Sequence, residues 1–157
     1  MTARHSSGGV PELDQYLQTQ AGQDARRKVA APFVLLDESD HVVGYYTLSA
    51  YTIYLGQLPT HLAKKLPRYP LLPATLLGRL AVSRLHRGQN LGRLLLMDAL
   101  YRSWRNTDEV ASIGVVVEAR DDSARAFYQH HHFAPLADHP NRLFIPMATI
   151  ERAFKTL

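Results

Sequence analysis

One stretch limits the folds open to this chain more than any other. Leu76-Leu77-Gly78-Arg79-Leu80-Ala81-Val82 is an apolar segment, Arg87-Gly88-Gln89-Asn90-Leu91-Gly92-Arg93 is a glycine-bearing turn, and Leu94-Leu95-Leu96-Met97-Asp98-Ala99-Leu100 has helical composition. The order is strand from Ala74 to Val82, tight turn, helix from Gly92 to Trp104. A helix N-terminus preceded by small residues presents free backbone N–H groups and the positive end of the helix dipole, which suits phosphate. Arg87 and Arg93 add a cation at each end of the turn. The turn is not a P-loop, because no Gly-Lys is followed by Ser or Thr. Nor does it carry the G-x-G-x-x-G of a dinucleotide fold.

The rest of the chain arranges itself around that unit. Ser6-Ser7-Gly8-Gly9 reads as a flexible lead-in, and Pro11 suits a first helical position. Leu13, Tyr16 and Leu17 follow at helical spacing, which predicts a helix from Pro11 to Gln20, broken near Gly22 and resuming to Val29. Phe33 to Leu36 and the alternating run from Val42 to Leu55 predict an antiparallel hairpin across the turn cluster Asp37-Glu38-Ser39-Asp40. Leu58 to Pro73 is a proline-broken connection with room for a short helix near Thr60 to Lys65. Ile113-Gly114-Val115-Val116-Val117 is a continuous apolar run, as in buried strands, and Gly114 suggests a close backbone approach. Asp121-Asp122-Ser123 then supplies an N-cap for a helix carrying Ala124, Phe127 and Tyr128. Phe133 to Leu136 and Arg142 to Ile145 read as two last strands joined by residues 137–141, before a final helix from Met147 to Phe154. The sum is an α/β or α+β chain with a mixed sheet and helices on its faces.

Composition narrows the chemistry. A length of 157 residues suits one domain spanning 1–157. There is no cysteine, so neither a disulfide nor a thiolate nucleophile is available. No apolar run approaches the ~18 residues of a membrane span, and the first residues lack the apolar core of a secretory signal. Both readings point to the cytoplasm. A formal charge of +4 favours anionic partners by long-range attraction. Arg26-Arg27-Lys28 and Lys64, Lys65 and Arg68 are small basic clusters.

Taken together, two motifs in order resemble the GNAT N-acetyltransferases. The first is Val82-x-x-x-x-Arg87-Gly88-x-Asn90-Leu91-Gly92-x-x-Leu95, similar to the family's acetyl-CoA motif, with Asn90 where the first glycine usually stands. The second is Asp121-x-x-Ala124-x-x-Phe127-Tyr128, with His132-Phe133 where Gly-Phe usually follows. Asn and His tolerate left-handed backbone angles better than most residues, so both departures are mild.

The resemblance implies the GNAT fold: a mixed, mostly antiparallel sheet in which two parallel strands splay into a V around acetyl-CoA, with helices on both faces. It implies that backbone N–H groups of Leu80, Ala81 and Val82 hold the thioester. It further implies that Arg87, Gly88, Gln89, Asn90, Leu91, Gly92 and Arg93 cradle the pyrophosphate. Asp121, Ala124 and Phe127 belong to the same cofactor region, and Tyr128 directs its hydroxyl at the CoA sulfur.

The resemblance is nearest to the toxins of bacterial toxin–antitoxin pairs, carried also by Leu77-Gly78-Arg79-Leu80-Ala81-Val82 and Arg142-Leu143-Phe144-Ile145-Pro146-Met147. Such enzymes acetylate the α-amine of aminoacyl-tRNA, which blocks translation. They are held by a ribbon-helix-helix antitoxin and are often homodimers. Two other classes remain open from sequence: a GNAT acting on a small amine or protein N-terminus, and a CoA-binding module without catalysis.

Other chemistries fit less well. His130, His131 and His132 are consecutive, and successive helical side chains diverge by about 100°, so they cannot converge on one metal ion. No H-E-x-x-H and no G-x-S-x-G is present. Glu118 is the carboxylate nearest the expected cleft in sequence, a candidate base whose plainer reading is a solvated or ion-paired side chain.

Overall fold

The computed structural model describes residues 20–86 and 88–156. The helix expected from Pro11 to Gln20 lies outside the described residues, apart from its last position. Six strands form one sheet in the order β1-β2-β3-β4-β6-β5. They are β1 (Ala31–Leu36), β2 (Val42–Tyr54), β3 (Leu71–Val82), β4 (Gly114–Glu118), β5 (Ala134–Leu136) and β6 (His139–Pro146). The α-helices are α1 (Ala21–Arg26), α2 (Thr60–Ala63), α3 (Leu91–Asn106), α4 (Asp122–His130) and α5 (Met147–Lys155). Contacts divide the chain into two compact units. One comprises the residues up to Ser49 with Leu77–Ala99, and the other comprises Ala50–Leu76 with the chain from Leu100 onward.

In the first unit the expected hairpin forms. β1 and β2 pair antiparallel from Ala31↔Leu48 to Leu36↔Val42. Asp37 fixes its turn, because its Oδ1 accepts the N–H groups of Ser39 at 2.8 Å and His41 at 2.9 Å. Those bonds, His41 first, hold the Asp37 carboxyl below its ordinary pKa. Ala21, Val42, Tyr45 and Ala81 make a small core. α1 begins next to Gly22, with Gln20 as its N-cap, and the segment before Gln20 lies outside the described residues. The helix stops sooner than expected. Lys28 has φ 62°, and Val29 N–H bonds back to Asp24 O at 2.9 Å, which is a Schellman closure.

In the second unit β4 is a buried strand, with Val115, Val116 and Val117 each 0 % exposed. Burying each stabilises the fold by about 1.5–3 kcal/mol. It pairs antiparallel with β6 from Gly114↔Pro146 to Glu118↔Arg142. Gly114 has the close neighbour its position suggested. A Cβ there would fall on the Ile145 carbonyl and within 2.6 Å of the Phe144 ring. Val116 and Phe144 join Ile53, Leu58, Leu72 and Ala74 in the core, against which Leu62, Ala63 and Leu66 pack.

Two boundaries differ from expectation. β3 starts at Leu71, three residues early, because the Pro73 carbonyl accepts the Ile113 N–H at 2.9 Å and so continues the ladder. β6 starts at His139, leaving a two-residue turn, Ala137-Asp138, after Leu136↔His139. Trp104 is half-buried and stacks on Phe154 with ring centroids 6.0 Å apart.

Candidate active site

The residues singled out from sequence fall into two groups, one in each unit. The first surrounds the start of α3. Leu80 and Val82 are half-buried and Ala81 is buried at the end of β3. The chain leaves that strand with Ser83 N–H bonded to Val43 O at 2.7 Å, then makes a single 3-10 turn over Arg84–His86. Arg87 lies outside the described residues.

Gly88 has φ 86° and Asn90 φ 59°, so the residue standing in place of a glycine does take the left-handed conformation. The first bond of α3 is Leu94 N–H to Asn90 O at 3.1 Å. The N–H groups of Leu91, Gly92 and Arg93 therefore precede the helical ladder, as they do at any helix start. Gln89 and Arg93 are exposed beside them. His86 Nδ1 is buried with no hydrogen-bond partner among the described residues, immediately before the turn. N–H groups ahead of the helical ladder, two left-handed residues and an exposed arginine give the turn the chemistry that anions favour.

Packing fixes the angle of α3. A Cβ at Gly44 would lie 2.6 Å from Leu95 Cδ1 and 3.1 Å from the Ala81 carbonyl, so only glycine lets the helix sit this close to β2. The Tyr46 hydroxyl, on a ring that is 1 % exposed, donates to Asp98 Oδ2 of the same helix. Neither anchor was foreseen. The signals were a glycine inside a strand pattern and an acid on an otherwise apolar helix.

The second group is α4. Asp121 is its N-cap, and Oδ1 accepts the Ala124 N–H at 2.8 Å. Two of the expected cofactor residues thus hold the helix start together. Phe127 is half-buried and Tyr128 is 8 % exposed, their rings 5.3 Å apart. The helix ends in a Schellman motif. His132, at φ 73°, sends its N–H to Gln129 O, and Phe133 N–H returns to Tyr128 O at 3.1 Å. Phe133 then packs edge-on against Tyr128, centroids 5.3 Å apart, the apolar contact that completes such a cap. His132 therefore occupies a second left-handed position where the family pattern has glycine. Burial pushes the Tyr128 hydroxyl up to about 12, so it stays protonated throughout the neutral range.

Glu118 ends β4 as an exposed carboxylate, and its Oε1 accepts from Arg142 Nη2 at 2.6 Å and Nε at 3.1 Å. That bond raises the Arg142 pKa. Glu118 is a cross-strand ion-pair partner. Among the described residues no group of three or more His, Cys, Asp or Glu is placed to hold a metal ion, and no helix is long and apolar enough to cross a membrane.

A glycine-bearing turn with unbonded N–H groups ahead of a helix suits an anionic group, and the mixed sheet with flanking helices suits an acyl-transferring enzyme. Residues 30–135 match the acetyltransferase (GNAT) domain, and the chain belongs to that family. Within it the chain falls among toxins of the TacT and AtaT type. The tRNA-acetylating toxin of Mycobacterium tuberculosis is 33% identical over 141 residues, 90% of this chain and 83% of that protein. The structure of AtaT complexed with acetyl-methionyl-tRNAfMet is 31% identical, with a TM-score of 0.89, over 98% of this chain and 92% of that one. A tyrosine-to-phenylalanine mutant of KacT superposes with a TM-score of 0.90 at 29% identity, over 98% and 92% of the two chains.

Proposed function

We propose that this N-acetyltransferase is a cytoplasmic toxin. It moves the acetyl group of acetyl-CoA to the α-amine of aminoacyl-tRNA, which ends that tRNA's use in translation. The observation that carries the reading is Tyr128, a buried hydroxyl kept protonated and fixed by a cap and two aromatic rings. It stands in a chain 33% identical to a tRNA-acetylating toxin along most of its length. A ribbon-helix-helix antitoxin and a homodimer belong to the same reading.

The roles follow from the chemistry of the reaction. The amine nitrogen attacks the thioester carbonyl, the new C–N bond forms, the C–S bond breaks and the amine proton leaves to solvent. N–H groups of Leu80, Ala81 and Val82, at the end of β3, polarise the carbonyl. Residues 87–93 hold the pyrophosphate, and Asp121, Ala124 and Phe127 belong to the cofactor-binding residues of the same proposal. Tyr128 faces the sulfur as negative charge gathers there.

An α-amine has a pKa near 7.7–8.0 against about 10.4 for lysine. Roughly a tenth or more of the former is neutral at pH 7, but well under a tenth of a percent of the latter. The aminoacyl substrate therefore needs no dedicated base, in keeping with Glu118 being tied to Arg142.

The test is to incubate the protein with labelled acetyl-CoA and a pool of charged tRNAs, with free amino acids, polyamines and peptides alongside. Label on aminoacyl-tRNA alone supports the proposal. Label on free amines or peptides with none on tRNA moves the enzyme to small or protein acceptors. Binding of acetyl-CoA with no transfer leaves a module without catalysis.

A further inference from the structure

The charges of this chain are sorted along its length. From His41 to Met97 the sequence has seven Lys and Arg and not one Asp or Glu, so all 14 acidic residues lie outside that window. The segment between β2 and β3 presents part of this excess. Leu62, Ala63 and Leu66 anchor it in the core. Lys64, Lys65 and Arg68 point out and are exposed. None of the three is ion-paired among the described residues, whereas Arg125, Arg142 and Lys155 of the same unit hold Asp122, Glu118 and Glu151. Three uncompensated cations within five residues repel one another, a cost that a polyanion relieves.

Aromatic side chains accompany them. Tyr69, between Arg68 and Pro70, is 65% exposed, and Tyr54 at the end of β2 is 61% exposed. The Leu55 N–H donates to the Pro70 carbonyl at 3.1 Å, which joins the two segments that carry these rings. Exposed rings on two segments joined at the backbone, one of them next in sequence to unpaired cations, match what unpaired nucleotides bind: cations for the phosphates and aromatic faces for the bases. An acidic polypeptide would use the cations but has no bases to lay on the rings.

We infer that the segment from Thr60 to Pro70, with Tyr54, is an RNA-docking surface that holds phosphates through Lys64, Lys65 and Arg68 and stacks an unpaired base on Tyr69. This rests on the proposed tRNA substrate and adds where the body of that RNA is held.

The experiment uses the full chain and deacylated tRNA, with affinity measured between 50 and 200 mM salt. Lys64→Ala/Lys65→Ala/Arg68→Ala should weaken binding and lower the slope of log affinity against log salt by about 2, given roughly 0.7–0.9 per phosphate contact. Tyr69→Ala should weaken binding about 5- to 150-fold with the slope unchanged, the range expected for one stacked base. Both variants should keep wild-type melting and acetyl-CoA affinity, because every altered side chain is exposed.

Wild-type tRNA affinity and slope in both variants, while the parent acetylates charged tRNA, would overturn the surface and leave the substrate reading intact. A parent that neither binds nor acetylates tRNA would overturn both. Retained tRNA binding in the triple variant with lost binding of poly-glutamate would hand the surface to an acidic protein.

Discussion

Removing one oxygen, with Tyr128→Phe, tests the centre of the proposed chemistry, and the structure sets how large the effect should be. The Tyr128 hydroxyl titrates at about 12, whereas an ordinary alkyl thiol titrates near 8.5. Handing its proton fully to a departing thiolate is uphill by about 3.5 pK units, or roughly 5 kcal/mol. The group is therefore suited to a charge-assisted hydrogen bond that stabilises the thiolate as it forms, with the final proton coming from solvent. Losing one such preorganised donor costs about 10²–10³ in turnover, or ~3–4 kcal/mol. Full general-acid catalysis would reach about 10⁴.

The ring contacts to Phe127 and Phe133 do not use the hydroxyl. Melting temperature and acetyl-CoA affinity should thus stay near wild type while kcat falls 10²- to 10³-fold. The assay is steady-state transfer to charged tRNA, with calorimetric binding of acetyl-CoA beside it. A loss under threefold makes the hydroxyl a spectator and refutes the assignment. The pH profile adds a second check. Activity should rise as the substrate amine deprotonates near pH 8 and then stay level through pH 10. A fall centred near pH 10 that vanishes in the phenylalanine variant would mean an ordinary, solvated tyrosine.

Gly92→Glu places a carboxylate in the phosphate cradle; acetyl-CoA affinity should drop at least about tenfold while stability holds, since an acid in a first helical turn is favourable by about 0.3–1 kcal/mol. Calorimetry and a thermal melt separate the two effects. His132→Val should cost about 1–2 kcal/mol in denaturant unfolding, because a β-branched residue is forced to φ 73°, while His132→Gly should keep or raise stability. Gly114→Ala drives a methyl into the Ile145 carbonyl and the Phe144 ring and should destabilise by about 1–3 kcal/mol or more. Finally, the folded-state pKa of Tyr128 is raised, so its share of stability is whole below pH 10 and is lost as pH rises toward 12. That share is about 3 kcal/mol at two pK units, and the gap in unfolding free energy between wild type and Tyr128→Phe should shift by that amount between pH 9 and 12.

Several of these features could be read from the residues alone because they are local. A strand, turn and helix around Arg87 to Arg93, an N-cap at Asp121 and a valine run are each fixed by neighbours in sequence. The two departures from the glycine pattern were also readable, since Asn90 and His132 are residue types that accept φ near 60–70° and both do so. What sequence did not disclose depends on partners far along the chain. Tyr46 reaches Asp98, Gly44 makes room for Leu95, and the Pro73 carbonyl finds Ile113, so β3 begins before its last proline. The same limit applied to Glu118, whose role turned on which residue of β6 lay opposite.

That last pairing bears on the reaction as a whole. Glu118 and Arg142 are directly opposed in the β4–β6 ladder and joined by two hydrogen bonds. Both bonds fall on Oε1, so the carboxylate serves as a cross-strand ion-pair partner. An enzyme that acetylated lysine would have to strip a proton from an amine that is almost wholly charged at neutral pH. One directed at α-amines finds its nucleophile already partly neutral. Catalytic power can then rest on positioning and on the sulfur, and the protein invests accordingly. The turn at residues 88–90 is shaped by two left-handed residues, and Tyr128 is clamped by a helix cap on one side and Phe127 on the other. Under this logic Glu118→Gln should leave the pH dependence of transfer unchanged, even if loss of the ion pair lowers stability. A shift of the rising limb to higher pH would show that a protein base is at work after all.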